Sequence, residues 1–88
     1  MITRKFDRNI DVLRNRFADA DAFIAQYHSD FVDASAHYGD YIISVRVGEY
    51  DDGRNYYLCR TGEAGKTTGA EYPSFDALLA TFDPPEAA

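Results

Sequence analysis

The stretch after Gly39 constrains the fold most. Tyr41, Ile43, Val45 and Val47 alternate with Ile42, Ser44, Arg46 and Gly48. A period of two is the pattern of a strand that buries one face. Asp51-Asp52-Gly53 follows, and it supplies turn chemistry: Gly53 tolerates positive φ and an Asp side chain can bond its own backbone. Residues 54–61 then return as a second strand carrying Tyr56, Tyr57, Leu58 and Cys59. Two registers are open. With a two-residue Asp52-Gly53 loop Val47 faces Leu58, and with a bulge at Gly53 it faces Tyr57. After a polar loop at 61–65, a short third strand is expected at 66–72, where Pro73 ends it. Ser74 is placed to cap a closing helix, with Phe75, Leu78, Leu79 and Phe82 on one face and Pro84-Pro85 as its stop.

Before Gly39 the spacing reads differently. Phe6, Ile10, Leu13 and Phe17 recur at intervals of 4, 3 and 4, one face of a helix. Ala20, Phe23, Ile24, Tyr27, Phe31, Ala34 and Tyr38 keep the same period. On a helical projection they lie within an arc of about 100°, with Asp19, Asp30, Asp33 and His37 in a neighbouring arc of about 60°. Gly39 fits the left-handed residue that stops such a helix. Residues 5–38 can therefore form one rod or two helices; Asp19 and Asp21 start helices better than they continue them, which favours a break near 18–21. The expected fold is α+β: one or two N-terminal helices, a three-stranded antiparallel meander and a short C-terminal helix. Residues 1–83 form a single domain on this reading, and residues 84–88 a short frayed tail.

Charge narrows the classes of function. The 88 residues carry 9 Lys+Arg against 15 Asp+Glu, a formal charge of −6. It is unevenly placed. Residues 1–16 hold five basic and two acidic side chains, whereas 17–53 hold eight acids against Arg46 alone. Such a chain repels nucleic-acid phosphates and attracts a basic protein surface. Apolar runs are too short for a membrane span, and nothing near the first residues reads as a secretory signal. The lone Cys59 suits a reducing compartment. A cytoplasmic location without membrane contact is expected.

The usual catalytic signatures are not met. Gly62-Glu63-Ala64-Gly65-Lys66-Thr67 imitates the end of a phosphate-binding loop, but Arg60 stands where the first glycine is required and Pro73 leaves no room for the helix that must follow. His28 and His37 fall on opposite sides of the expected helix, and Cys59 has no Cys-x-x-Cys partner, so neither a metal site nor a cofactor is expected. His37 and Asp33, four apart, read as a solvated surface pair rather than an acid–base couple. Cys59 on a strand points away from Arg60 and reads as a buried, unreactive thiol. The expectation is a protein that is not an enzyme. Tyr50, Tyr56, Tyr57 and Tyr72, with Glu49, Asp51 and Asp52, instead make a patch of acids and aromatics of the kind favoured at interfaces.

An Asp-lined helix, an acidic hairpin and a Gly69-Ala70-Glu71-Tyr72 strand running into the Ser74, Leu78, Leu79 and Phe82 helix together resemble small acidic phage-encoded inhibitors of the anti-CRISPR kind. The resemblance implies a stoichiometric inhibitor that masks a basic, nucleic-acid-recognising surface of an effector complex and contacts no nucleic acid itself. It implies partner-binding residues Asp19, Asp30, Asp33 and Asp40 on one side and Glu49, Asp51 and Asp52 on the turn; His37 and Tyr50 join them from the acidic arc and the aromatic patch. The alternative reading is a structural or assembly protein that self-associates, as a homodimer, through a sheet edge or the N-terminal helix.

Overall fold

The computed structural model describes residues 6–63 and 65–82. Helix α1 (Asp7–Arg16) leads into five strands, β1 (Ala22–Tyr27), β2 (Phe31–Tyr38), β3 (Tyr41–Glu49), β4 (Asn55–Glu63) and β5 (Lys66–Tyr72), and helix α2 (Phe75–Ala80) closes the chain. The strands form one antiparallel meander in the order β1-β2-β3-β4-β5. The fold is a small single-domain α+β unit with one N-terminal helix and five strands; the expected second helix and three-stranded meander are wrong. The tail at 84–88 and the Pro84-Pro85 stop lie outside the described residues.

The error has a clear origin. Residues 22–38 satisfy both periods. Read at period 3.6, Ile24 belongs to the core and Val32 and Ala36 to the polar side. Read at period two, Val32, Ala34 and Ala36 face inward and Asp33, Ser35 and His37 outward. The structure takes the second solution: Val32, Ala34 and Ala36 are buried, while Ile24 is 49% exposed. His28-Ser29-Asp30 makes the turn, closed by a bond from the His28 N–H to the Phe31 carbonyl (2.9 Å). Gly39 does not stop a helix. It stands first in the two-residue Gly39-Asp40 loop that joins Tyr38 to Tyr41, with the positive φ of 63° that a tight hairpin needs there.

Elsewhere local chemistry prevails. In α1, Ile10 and Leu13 are buried, Asp7 lies in the first turn and Arg14 and Arg16 in the last, as the helix dipole favours. The hairpin between β3 and β4 adopts the Gly53 register: Val47 faces Tyr57, and Gly53 has φ 89°. Ser74 caps α2, its Oγ accepting the Ala77 N–H at 3.1 Å. The apparent phosphate loop is the β4–β5 hairpin, in which Glu63 pairs with Lys66.

Both helices cover the same face of the sheet. Phe6, Ile10, Leu13 and Phe17 of the α1 region and Leu78 of α2 pack with Val32, Val45, Val47 and Cys59 in one core. Phe17 and Phe82 meet edge to face at 5.2 Å, which joins the two helix ends. Among the described residues, no helix lies on the opposite face of the sheet.

Candidate binding surfaces on the sheet

An antiparallel meander sends alternate turns to opposite ends, and this sorts the acidic residues. The β1–β2 and β3–β4 turns lie together at one end: the Glu49 N–H donates to the Asp30 carbonyl at 3.1 Å. Asp30, Glu49, Tyr50, Asp51 and Asp52 therefore share that end. Asp19 and Asp40 lie at the other, about 25–30 Å away along strands of eight and nine residues. Asp33 and His37 are on the bare outer face, four strand positions and so about 13 Å apart. The single helical arc expected to hold Asp19, Asp30, Asp33 and His37 does not exist, because the segment that would have formed it is a hairpin.

Several acids are engaged internally. Asp33 receives Arg46 in two-pronged fashion, Nε to Oδ1 at 2.7 Å and Nη2 to Oδ2 at 3.1 Å. The same guanidinium lies 4.1 Å over the Phe31 ring, which stacks on His28 at 4.3 Å. The Asp33 hydrogen bond raises the Arg46 pKa further above its ordinary value. Asp19 accepts the Tyr38 hydroxyl (2.8 Å), and Asp21 accepts the Gly39 N–H (2.7 Å). Burial first, then the bond to Asp19, pushes the Tyr38 hydroxyl up to about 12. These acids stabilise the sheet end opposite the Asp30 turn.

At the Asp30 end the aromatic patch read from the sequence is halved: Tyr50 and Tyr56 lie there, whereas Tyr57 and Tyr72 turn to the covered face and pack against the core. The Tyr50 hydroxyl donates to Glu71 at 3.0 Å, and the Tyr50 ring sits 4.8 Å from Tyr56 with the Arg54 guanidinium 5.1 Å above it. Arg54 in turn pairs with Asp52 at 2.8 Å. Tyr56 lies flat across Gly48, where any Cβ would run into its ring. Glu71 and Arg54 join this surface without having been read from the sequence, whereas Tyr56 was already part of the aromatic patch. The available signal for where Tyr56 lies was Gly48, a glycine at an outward position of an otherwise regular strand, which marks close approach by another group.

A concavity of about 760 Å³ opens between the ends of the two helices over the covered face, lined by Phe17, Tyr41, Ile43, Cys59, Thr68 and Phe82 among others. Cys59 is only 5% exposed, and burial pushes its thiol up to about 11, so at neutral pH it is a protonated, weak nucleophile. Among the described residues, no group of three His, Cys, Asp or Glu side chains is placed to hold a metal ion. Among them, too, no helix is long and apolar enough to cross a membrane.

Comparison of the chain with protein-family models, with curated proteins and with solved structures finds no match.

Proposed function

We propose that this chain is a non-catalytic binding protein that docks on a basic protein surface through the sheet end formed by its β1–β2 and β3–β4 turns. The observation that carries the reading is the Glu49-to-Asp30 backbone bond, which holds two acidic turns side by side and gathers Asp30, Glu49, Asp51 and Asp52 around the Tyr50–Tyr56 pair. Tyrosines amid acids supply a rigid contact area together with long-range attraction for a cationic partner. The wider docking face drawn from the sequence contracts on this reading: Asp33 is paired with Arg46 and Asp52 with Arg54, Asp19 and Asp40 lie at the other end, and the acids that carry it are Asp30, Glu49 and Asp51. The resemblance to phage-encoded inhibitors suggests the kind of partner, a basic surface that otherwise recognises nucleic acid, in the cytoplasm of a bacterium.

The test is retention of basic proteins from a bacterial lysate on the immobilised chain at low salt, with elution as salt rises. Asp30→Lys combined with Asp51→Lys changes two exposed turn side chains and is expected to abolish retention while leaving the far-ultraviolet circular dichroism unchanged. Retention of the same proteins by the folded double variant would remove this end of the sheet as the contact.

A further inference from the structure

We infer that β1 is a self-pairing edge, through which two copies of this chain join their sheets about a two-fold axis. The His28 N–H bonds the Phe31 carbonyl, so the alternation of an antiparallel ladder turns the backbone groups of Ala22, Ile24 and Gln26 toward β2 and those of Phe23, Ala25 and Tyr27 away from it. Among the described residues no strand lies beside that row of donors and acceptors.

Sheets normally guard such rows with charge, proline, glycine or a bulge. The sequence of β1, Ala-Phe-Ile-Ala-Gln-Tyr, contains none of the first three and is uncharged throughout. The other edge differs: β5 carries Lys66, Gly69 and Glu71 and runs into Pro73. Among the described residues, β1 is the edge that lacks these guards.

The occupant follows from the symmetry of the row. Phe23, Ala25 and Tyr27 form a large–small–large series centred on Ala25. A second copy run antiparallel with Ala25 on the axis satisfies all three donor–acceptor pairs on each strand. It also sets Phe23 against Tyr27 of the second copy twice, with the two small Ala25 side chains between them. Phe23, Ala25 and Tyr27 are each half-buried against the core, and the added strand would complete their cover. Ile24, 49% exposed, would gain Gln26 of the second copy as its neighbour. The ladder itself carries no like-charge contact, although the whole chains, at −6 each, repel.

Sedimentation velocity over a concentration series, up to about millimolar protein, tests the inference. The expected result is a concentration-dependent species of twice the 9.9 kDa monomer mass, strengthened by added salt because screening removes the repulsion. The Phe23, Ala25 and Tyr27 amides would then exchange slowly. Ala25→Pro deletes a donor that the single chain does not use, and Ile24→Lys adds the missing guard; each is expected to weaken the dimer by about tenfold or more. Thr67→Lys on the β5 edge should leave it intact. Should Ala25→Pro fail to fold, Ile24→Lys alone decides. A wild-type chain that stays monomeric throughout, or folded Ile24→Lys that dimerises as before, overturns the proposal. Both results are independent of the Asp30 and Asp51 substitutions, and salt acts here in the opposite direction to its effect on docking.

Discussion

The two faces of this sheet are held by different physics. The covered face is a continuous apolar layer in which Val32, Val45 and Val47 meet Ile10, Leu13 and Leu78, all with no more than 2% of their surface exposed. Its stabilisation is non-directional and grows with the area removed from water. The bare face depends on directed pairs: Asp33 with Arg46, Ser35 Oγ with Ser44 Oγ at 3.1 Å, and Arg46 over Phe31. Each such pair contributes little on its own, about 0.2–1 kcal/mol for a cross-strand neighbour. The bare face can therefore change its chemistry at small cost in stability, which leaves it and its borders available for contact. The covered face cannot.

Substitutions that ignore this division would break the comparison. Leu13→Ala empties a fully buried site beneath α1 and should cost about 3 kcal/mol, read as a lowered urea midpoint. A loss below about 1 kcal/mol would mean that the helix is not anchored as described. The covered face should also carry an alkaline weakness. Burial raises the Cys59 thiol from 9.0 to about 11, so the neutral form is favoured by folding. That contribution is complete below pH 9 and is lost as pH rises toward 11. Cys59→Ala should flatten this limb of a stability–pH curve, and an unchanged slope would place the titration elsewhere.

On the bare face effects should be smaller. Gly48→Ala drives a Cβ into the Tyr56 ring, which can swing outward because it lies at the surface; a loss of about 1 kcal/mol is expected, together with altered near-ultraviolet signals from the Tyr50–Tyr56 pair. Asp33→Asn should cost least, about 0.5 kcal/mol, and its effect should shrink in high salt. A penalty for Asp33→Asn as large as that for Leu13→Ala would erase the distinction between the faces.

How much was legible depended on how far apart in the chain the deciding contacts lie. The α1 stripe, the β3 alternation and the Ser74 cap are each settled within a few residues and stand where the spacing placed them, and a turn forms at Asp51-Asp52-Gly53, although its register was decided only in the fold. The candidate contact surface was legible only in part. Tyr50, Asp51 and Asp52 share one turn, so their proximity is local. Asp30 joins them through a contact 19 positions away in the chain, and Glu71 through one of 21 positions. Neither spacing nor composition carries that information, which comes from strand register.

What the sequence determined unaided is therefore the kind of segment wherever one period clearly won, along with the acidity of the chain. The tertiary structure alone decided the fate of residues 22–38, which fit a helix and a hairpin about equally well. In the fold, β2 pairs along the whole length of β3 and supplies hydrogen-bond partners to one of its edges, while the apolar side of β2 lies under α1. An isolated helix would have left that edge of β3 unpaired and Val32 exposed to water. The hairpin removes both costs at once, and in doing so it sends the acidic residues to opposite ends of the molecule.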